Sequence, residues 1–153
     1  MQKVFAETGG VHMSSFKVQY AIDGEDFSIA GEASRKLKKV LQNLGVDPQI
    51  IRKATVAMYE GEINMVIHAD GGVIDIEITK DKIHMFLKDR GPGIPNIDLA
   101  MTEGYSTASE NVRELGFGAG MGLPNMNKYT DYMNITTEVG VGTTIEMIVN
   151  ITQ

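Results

Sequence analysis

Asp47-Pro48 and Asp70-Gly71-Gly72 bracket the stretch that most limits how this chain folds. Asp47 is a helix-capping residue, and Pro48 fits the first helical position, where its missing N–H costs nothing. The pair predicts one long helix from Pro48 to about Ala69, ended by Asp70-Gly71-Gly72. Gly61 sits inside it at a cost of up to about 1 kcal/mol relative to alanine. Any architecture for the chain has to accommodate this element.

The segments around it alternate between the two periodicities. Ser14–Ile22 places Phe16, Val18, Tyr20 and Ile22 on one side, a period of two that predicts a strand, followed by an Asp23-Gly24 turn. Ile29, Ala33, Leu37, Val40, Leu41 and Leu44 recur at helical spacing and predict an amphipathic helix over Ser28–Leu44, stopped by Gly45. Val73–Thr79 and Lys82–Lys88 predict two strands around Lys80-Asp81. A short helix over Ile97–Met101, a helix over Leu123–Thr130 and strands at Tyr132–Thr137 and Thr143–Ile151 complete the chain. Met1–Val11 carries two adjacent glycines and little pattern, and reads as a frayed lead-in. Together these elements predict a two-layer α/β sandwich, with helices on one face of a mixed, mostly antiparallel sheet.

With 153 residues the chain reads as one domain with its core over about 14–151, large enough to bury a hydrophobic interior. The formal charge of −6 and the lack of a long basic run argue against a general nucleic-acid or membrane-surface binder, although Arg35, Lys36, Lys38 and Lys39 cluster locally. Zero cysteines removes disulfides, zinc–thiolate sites and cysteine nucleophiles, and is compatible with a cytoplasmic protein. No apolar run reaches the roughly 18 residues that span a bilayer, and the N-terminus lacks a signal-peptide core. The expectation is a soluble intracellular domain.

Two glycine clusters flank a polar segment from Asp89 to Gly122. Neither the phosphate-loop pattern G-x-x-x-x-G-K-[ST] nor the dinucleotide pattern G-x-G-x-x-G is present, so a nucleotide site must be of another design. Gly116, Gly118, Gly120 and Gly122 allow close approach of backbone to a ligand and end where a helix begins, which suits an anion. The same glycines also describe a flexible surface loop. Asp89 closes an apolar strand ahead of Gly91 and Gly93, and its acceptor-only carboxylate suits the exocyclic amine of adenine. A turn aspartate before glycine is the plainer reading. Glu60, Asn64 and His68 stand four residues apart, about 40° of rotation per step, and form one drifting stripe on the long helix. Asn64 offers an amide oxygen to Mg²⁺, and Glu60, one turn away, could deprotonate an attacking hydroxyl. The alternative for the stripe is a solvated polar face, and for His68 a structural hydrogen bond. Glu62 lies about 200° from Glu60 and should point away from that pocket. Residues 96–115, with Tyr105-Ser106-Thr107 and Arg113, read as a lid, Arg113 reaching a terminal phosphate or remaining a solvated charge.

The order of these signals is more specific than any one of them. Glu60-x-x-x-Asn64, Asp89-x-Gly91-x-Gly93, Gly116-x-Gly118-x-Gly120-x-Gly122 and Gly140-x-Gly142-Thr143 together resemble the N, G1, G2 and G3 boxes of the GHKL (Bergerat-fold) ATPases. The resemblance covers roughly residues 28–150. Its compactness is most similar to the bacterial anti-sigma factors and switch kinases, and Gly91-Pro92-Gly93-Ile94 and Glu103–Thr107 look closest to the RsbT-like members. Gly61-Glu62 departs from the anti-sigma pattern, where small or apolar residues are usual. The resemblance implies ATP and Mg²⁺ as ligands, with Glu60 the catalytic base and Asn64 the Mg²⁺ ligand. It implies that Asp89 holds the adenine amine beside Gly91, Gly93 and Ile94. It places Gly116, Gly118, Gly120, Met121 and Gly122 around the phosphates, with Thr143 supporting the adenine end.

The implied activity is that of an ATP-dependent serine/threonine protein kinase and anti-sigma factor of the partner-switching type. Its acceptor would be a STAS-domain antagonist; a sigma factor or a PP2C-type phosphatase is a further implied partner, and a homodimer the implied assembly. An ATP-gated regulatory binding module is the alternative. The catalytic domain of a histidine kinase ranks last, because too few residues precede the first helix for a hairpin carrying a phosphoacceptor histidine.

Overall fold

In the computed structural model, residues 2–9, 13–24, 27–102 and 122–152 are described. Strands β1 (Gln2–Gly9) and β2 (Met13–Ile22) lead through a 3-10 turn at Phe27–Ile29 into helices α1 (Glu32–Asn43) and α2 (Pro48–His68). β3 (Gly72–Ile78) and β4 (Lys82–Asp89) follow as a hairpin, then the short α3 (Ile97–Ala100). The chain closes with α4 (Gly122–Lys128), β5 (Tyr132–Glu138) and β6 (Gly142–Asn150). The sheet has six strands in the order β1-β2-β3-β4-β6-β5.

Every strand pair is antiparallel, so the sheet is not mixed among the described residues. Three hairpins (β1–β2, β3–β4 and β5–β6), a helical return from β2 to β3 and the return that sets β6 beside β4 bring each strand against its neighbour in the opposite sense. β1 was not expected. It pairs with β2 from Gln2↔Tyr20 to Gly9↔Met13, and such pairing is carried by the main chain, which no side-chain alternation announces.

One face of the sheet carries the core. Registered pairing sets apolar side chains in rows across the strands: Phe16, Ile78, Ile83 and Val149, then Val18, Ile76, Met85, Met147 and Met133, then Tyr20, Ile74, Leu87, Ile145 and Ile135. Cross-strand neighbours of this kind are the unit of sheet stabilisation. Onto these rows pack Leu37 and Leu41 of α1 and Ala54, Ala57 and Met58 of α2, all fully buried. Each large apolar side chain buried this way contributes about 1.5–3 kcal/mol. The opposite face is polar and carries the His84–Glu146 hydrogen bond and the Lys17–Glu77 and Lys88–Asp75 ion pairs. No helix among the described residues is long and apolar enough to cross a membrane.

The two long helices meet through a carboxylate. Glu62 of α2 is 2% exposed, and its oxygens accept the N–H groups of Gly31, Ala33 and Ser34 and the Ser34 hydroxyl, all at 2.7–3.1 Å. The N-terminus of α1 is therefore capped from a neighbouring helix. Gly31 precedes α1 with φ +91, a left-handed conformation, and offers no side-chain cap of its own. This is why the helix begins at Glu32 and not at Ser28. Glu62 does face away from Glu60, but its destination is this internal cap.

Candidate nucleotide site

The core face of the sheet continues one step beyond its last apolar row and changes character there. Two residues past Ile22's neighbour Tyr20 and its row partners come Gly72, Asp89, Thr143 and Thr137, on the same side as the core. Asp89 Oδ1 accepts the Gly91 N–H at 2.9 Å and the Thr143 N–H at 3.0 Å. Both donors fall on one oxygen, and among the described residues Oδ2 accepts no hydrogen bond. A half-buried carboxylate with one oxygen already satisfied is positioned to take a further donor, such as an exocyclic amine.

The strand end is braced by the β5–β6 turn. Thr137 Oγ1 accepts the Ile94 N–H at 2.8 Å and lies 2.9 Å from Thr143 Oγ1, while Gly140 N–H donates to the Pro92 carbonyl at 2.8 Å. Gly93 takes φ +82, and a Cβ there would come within 2.7 Å of the Glu138 carbonyl oxygen, so only glycine fits between the two loops. Thr143 thus contributes its backbone N–H to Asp89 and its hydroxyl to Thr137. Thr137 is a site residue that the sequence reading missed; its signal is that it stands directly opposite Thr143 in the hairpin.

The second part of the site lies between α2 and α4. The Asn64 side chain abuts Gly122, where a Cβ would sit 3.0 Å from Nδ2. Asn125 Nδ2 donates to Glu60 Oε1 at 3.2 Å. Gly61 lies between these two levels: a Cβ there would meet Leu87 Cδ2 at 2.1 Å and Met126 Sδ at 3.3 Å. The glycine that weakens the helix locally is the one that lets α2 approach the sheet and α4. Just past the end of α2, Ala69 packs on Gly91, whose Cβ would come within 2.8 Å of the Ala69 Cβ. Asn64 and Ala69 are five residues apart, so the Asn64 level and the Asp89 end are separated by roughly 7.5 Å along the helix axis.

His68 is half-buried on α2, and burial pushes its pKa below the usual imidazole value, favouring the neutral ring. A group of three or more His, Cys, Asp or Glu side chains able to hold a metal does not occur among the described residues. The oxygen donor available beside Glu60 is the Asn64 amide, which matches a cation that keeps several waters and completes its shell with phosphate oxygens. The structure thus brings Glu60, Asn64 and Gly122 together in one cluster and Asp89, Gly91, Gly93, Ile94 and Thr143 in another. Gly116, Gly118, Gly120 and Met121, with Tyr105–Thr107 and Arg113, lie outside the described residues.

Residues 50–153 match the family described as histidine kinase-, DNA gyrase B-, and HSP90-like ATPase. The chain is similar to serine/threonine-protein kinase RsbT of Bacillus subtilis, 31% identical over 121 residues that cover 76% of this chain and 85% of that protein. It is also similar to anti-sigma F factors. That of Anoxybacillus flavithermus is 29% identical over 105 residues, 69% of this chain and 65% of the relative. That of Clostridium beijerinckii is 32% identical over 108 residues, 65% and 72% respectively.

Proposed function

Since this chain belongs to the histidine kinase-, DNA gyrase B- and HSP90-like ATPases, within their bacterial anti-sigma and switch-kinase branch, we propose that it is a protein serine/threonine kinase acting on a STAS-domain antagonist. The observation that carries this reading is the meeting of Glu60 and Asn64 with the first turn of α4, on the same side of the sheet as the Asp89–Thr143 row. That placement supports a reading in which Asp89 Oδ2 takes a donor from the base and Asn64 faces the phosphate end.

In this scheme Asp89 Oδ2 accepts the adenine amine, while Gly93 and Ile94 flank the base. Thr143 and Thr137 hold the strand end that carries Asp89. Asn64 would hold Mg²⁺ through its amide oxygen, and the ion would supply charge neutralisation for the transferred group. The family resemblance assigns Gly116–Gly122 to the phosphates. Glu60 orients the acceptor hydroxyl and takes its proton as the hydroxyl oxygen bonds to the γ-phosphorus; the bond from that phosphorus to the β–γ bridging oxygen breaks and ADP leaves. The reaction belongs in the cytoplasm, where ATP and such partners occur, and a homodimer is the assembly expected.

Incubation with γ-labelled ATP and a STAS-domain antagonist protein tests this. Label should appear on a serine or threonine of that protein, and Glu60→Gln should lower transfer by about 10²–10⁴-fold. Absence of transfer, or undiminished transfer by Glu60→Gln, would sink the proposal. The similarity to anti-sigma F factors favours a second reading, ATP-gated capture of a sigma factor or of a PP2C-type phosphatase. ATP-dependent pull-down of such a partner, unaffected by Glu60→Gln, would support it.

A further inference from the structure

We propose that Asn125 is a positioning residue that aims the Glu60 carboxylate at the reacting hydroxyl. The inference rests on the reading of Glu60 as the base given above and adds a residue that the four sequence boxes do not contain. α4 runs antiparallel along α2, with Asn64 against Gly122, Gly61 against Met126 and Glu60 against Asn125. Only the last contact is a hydrogen bond between two side chains, and among the described residues it is the one hydrogen bond to Glu60. A glutamate on a half-buried helix face has three rotatable bonds and no fixed direction without a partner. The Asn125 amide fixes it by donating from Nδ2 to Oε1, and Oε2 stays open to accept a proton.

The donor matters as well as the reach. An aspartate at 125 would offer no proton and would place a second carboxylate beside Glu60, turning the base away by like-charge repulsion. Alanine would leave Glu60 to sample rotamers, and a base displaced by an ångström loses much of its effect. A glutamine would keep the amide on an arm one methylene longer. Because Gly122 opens the same helix, the aim of Glu60 depends on how α4 is seated against α2.

Two measurements test this on the full chain: turnover of Mg·ATP to ADP in the absence of a protein acceptor, and the affinity for ADP by calorimetry. Asn125→Ala should lower kcat about tenfold while the ADP Kd stays within about twofold. Asn125→Gln should recover most of that loss, and Asn125→Asp should lose more. In the Glu60→Gln background Asn125→Ala should have no further effect, since it acts through Glu60. The idea is overturned by an equal fall in both backgrounds, by unchanged kcat in Asn125→Ala, or by an ADP affinity that falls in step with kcat. Wild-type turnover in Glu60→Gln would instead remove the base assignment, which separates the two failures. Independently of turnover, the side-chain amide resonances of Asn125 should move on Glu60→Gln, and resonances that stay put would exclude the contact.

Discussion

At Asp89 the consequence of a single atom exchange is well defined. Its Oδ1 holds the Gly91 and Thr143 N–H groups, so in Asp89→Asn the amide oxygen keeps those two bonds and turns its NH₂ toward the place proposed for the base. Two donors then face each other where a donor met a carboxylate, and a charge-assisted bond contributes about 1.5–3 kcal/mol. Calorimetric titration with ADP should therefore show affinity at least about tenfold weaker, with the fold intact. Glu62 differs in kind because it serves stability. Glu62→Ala leaves three buried N–H groups and the Ser34 hydroxyl without their acceptor, and urea unfolding should report a loss of about 3–5 kcal/mol. Tyr20, 2% exposed, has its hydroxyl without a hydrogen-bond partner among the described residues. Burial and then the nearby Glu62 carboxylate push its pKa up to about 12. The folded state thus holds the phenol neutral where the unfolded chain ionises it. This contribution is complete below about pH 10 and is lost as pH rises from there to about 12, a change of about 2–3 kcal/mol. Tyr20→Phe should flatten that alkaline decline and add about 1 kcal/mol of stability at pH 7.

At the level of elements, helical period, strand alternation and Asp47-Pro48 are readable because each is a local preference. The structure agrees with them to within a few residues at α2, β3, β4, β5 and β6. What was not readable is relational. The start of α1 depends on Glu62, a residue from another helix, and β1 depends on a main-chain partner. Gly61 read alone is a weak spot, but its space is filled by Leu87 and Met126 of two other elements. Gly61→Ala therefore sets a helix-propensity gain of about 1 kcal/mol against a clash in a packed interior that costs about 1–3 kcal/mol. The expected outcome is net destabilisation in denaturant titration, together with weaker ADP binding as α2 and α4 separate. For the candidate site, the sequence spacing singles out Asp89, Asn64 and Glu60. Thr137 and Asn125 stand in no such spacing, because their contacts come from a hairpin register and a helix pairing rather than from any pattern along the chain.

Across the whole molecule, a ligand seated between the two clusters binds only the folded state. At about 100 times its Kd it should add roughly 2.7 kcal/mol, or about 5–10 °C in Tm, and Asp89→Asn should abolish most of that shift. The order of strands in the sheet carries a kinetic corollary. Hairpins β1–β2, β3–β4 and β5–β6 join near neighbours, whereas β2 meets β3 and β4 meets β6 across long intervening chains, the latter as in the bond between Thr143 and Asp89, 54 positions apart. Closing these two long loops is entropically costly, and the Asp89–Thr143 clamp exists only after β4 and β6 have paired. Nucleotide should therefore leave the folding rate almost unchanged and slow unfolding by nearly its full equilibrium effect, about a hundredfold, in stopped-flow chevrons with and without ADP. Such a chain, once loaded, would be protected from degradation by a clock set at the seam between β4 and β6.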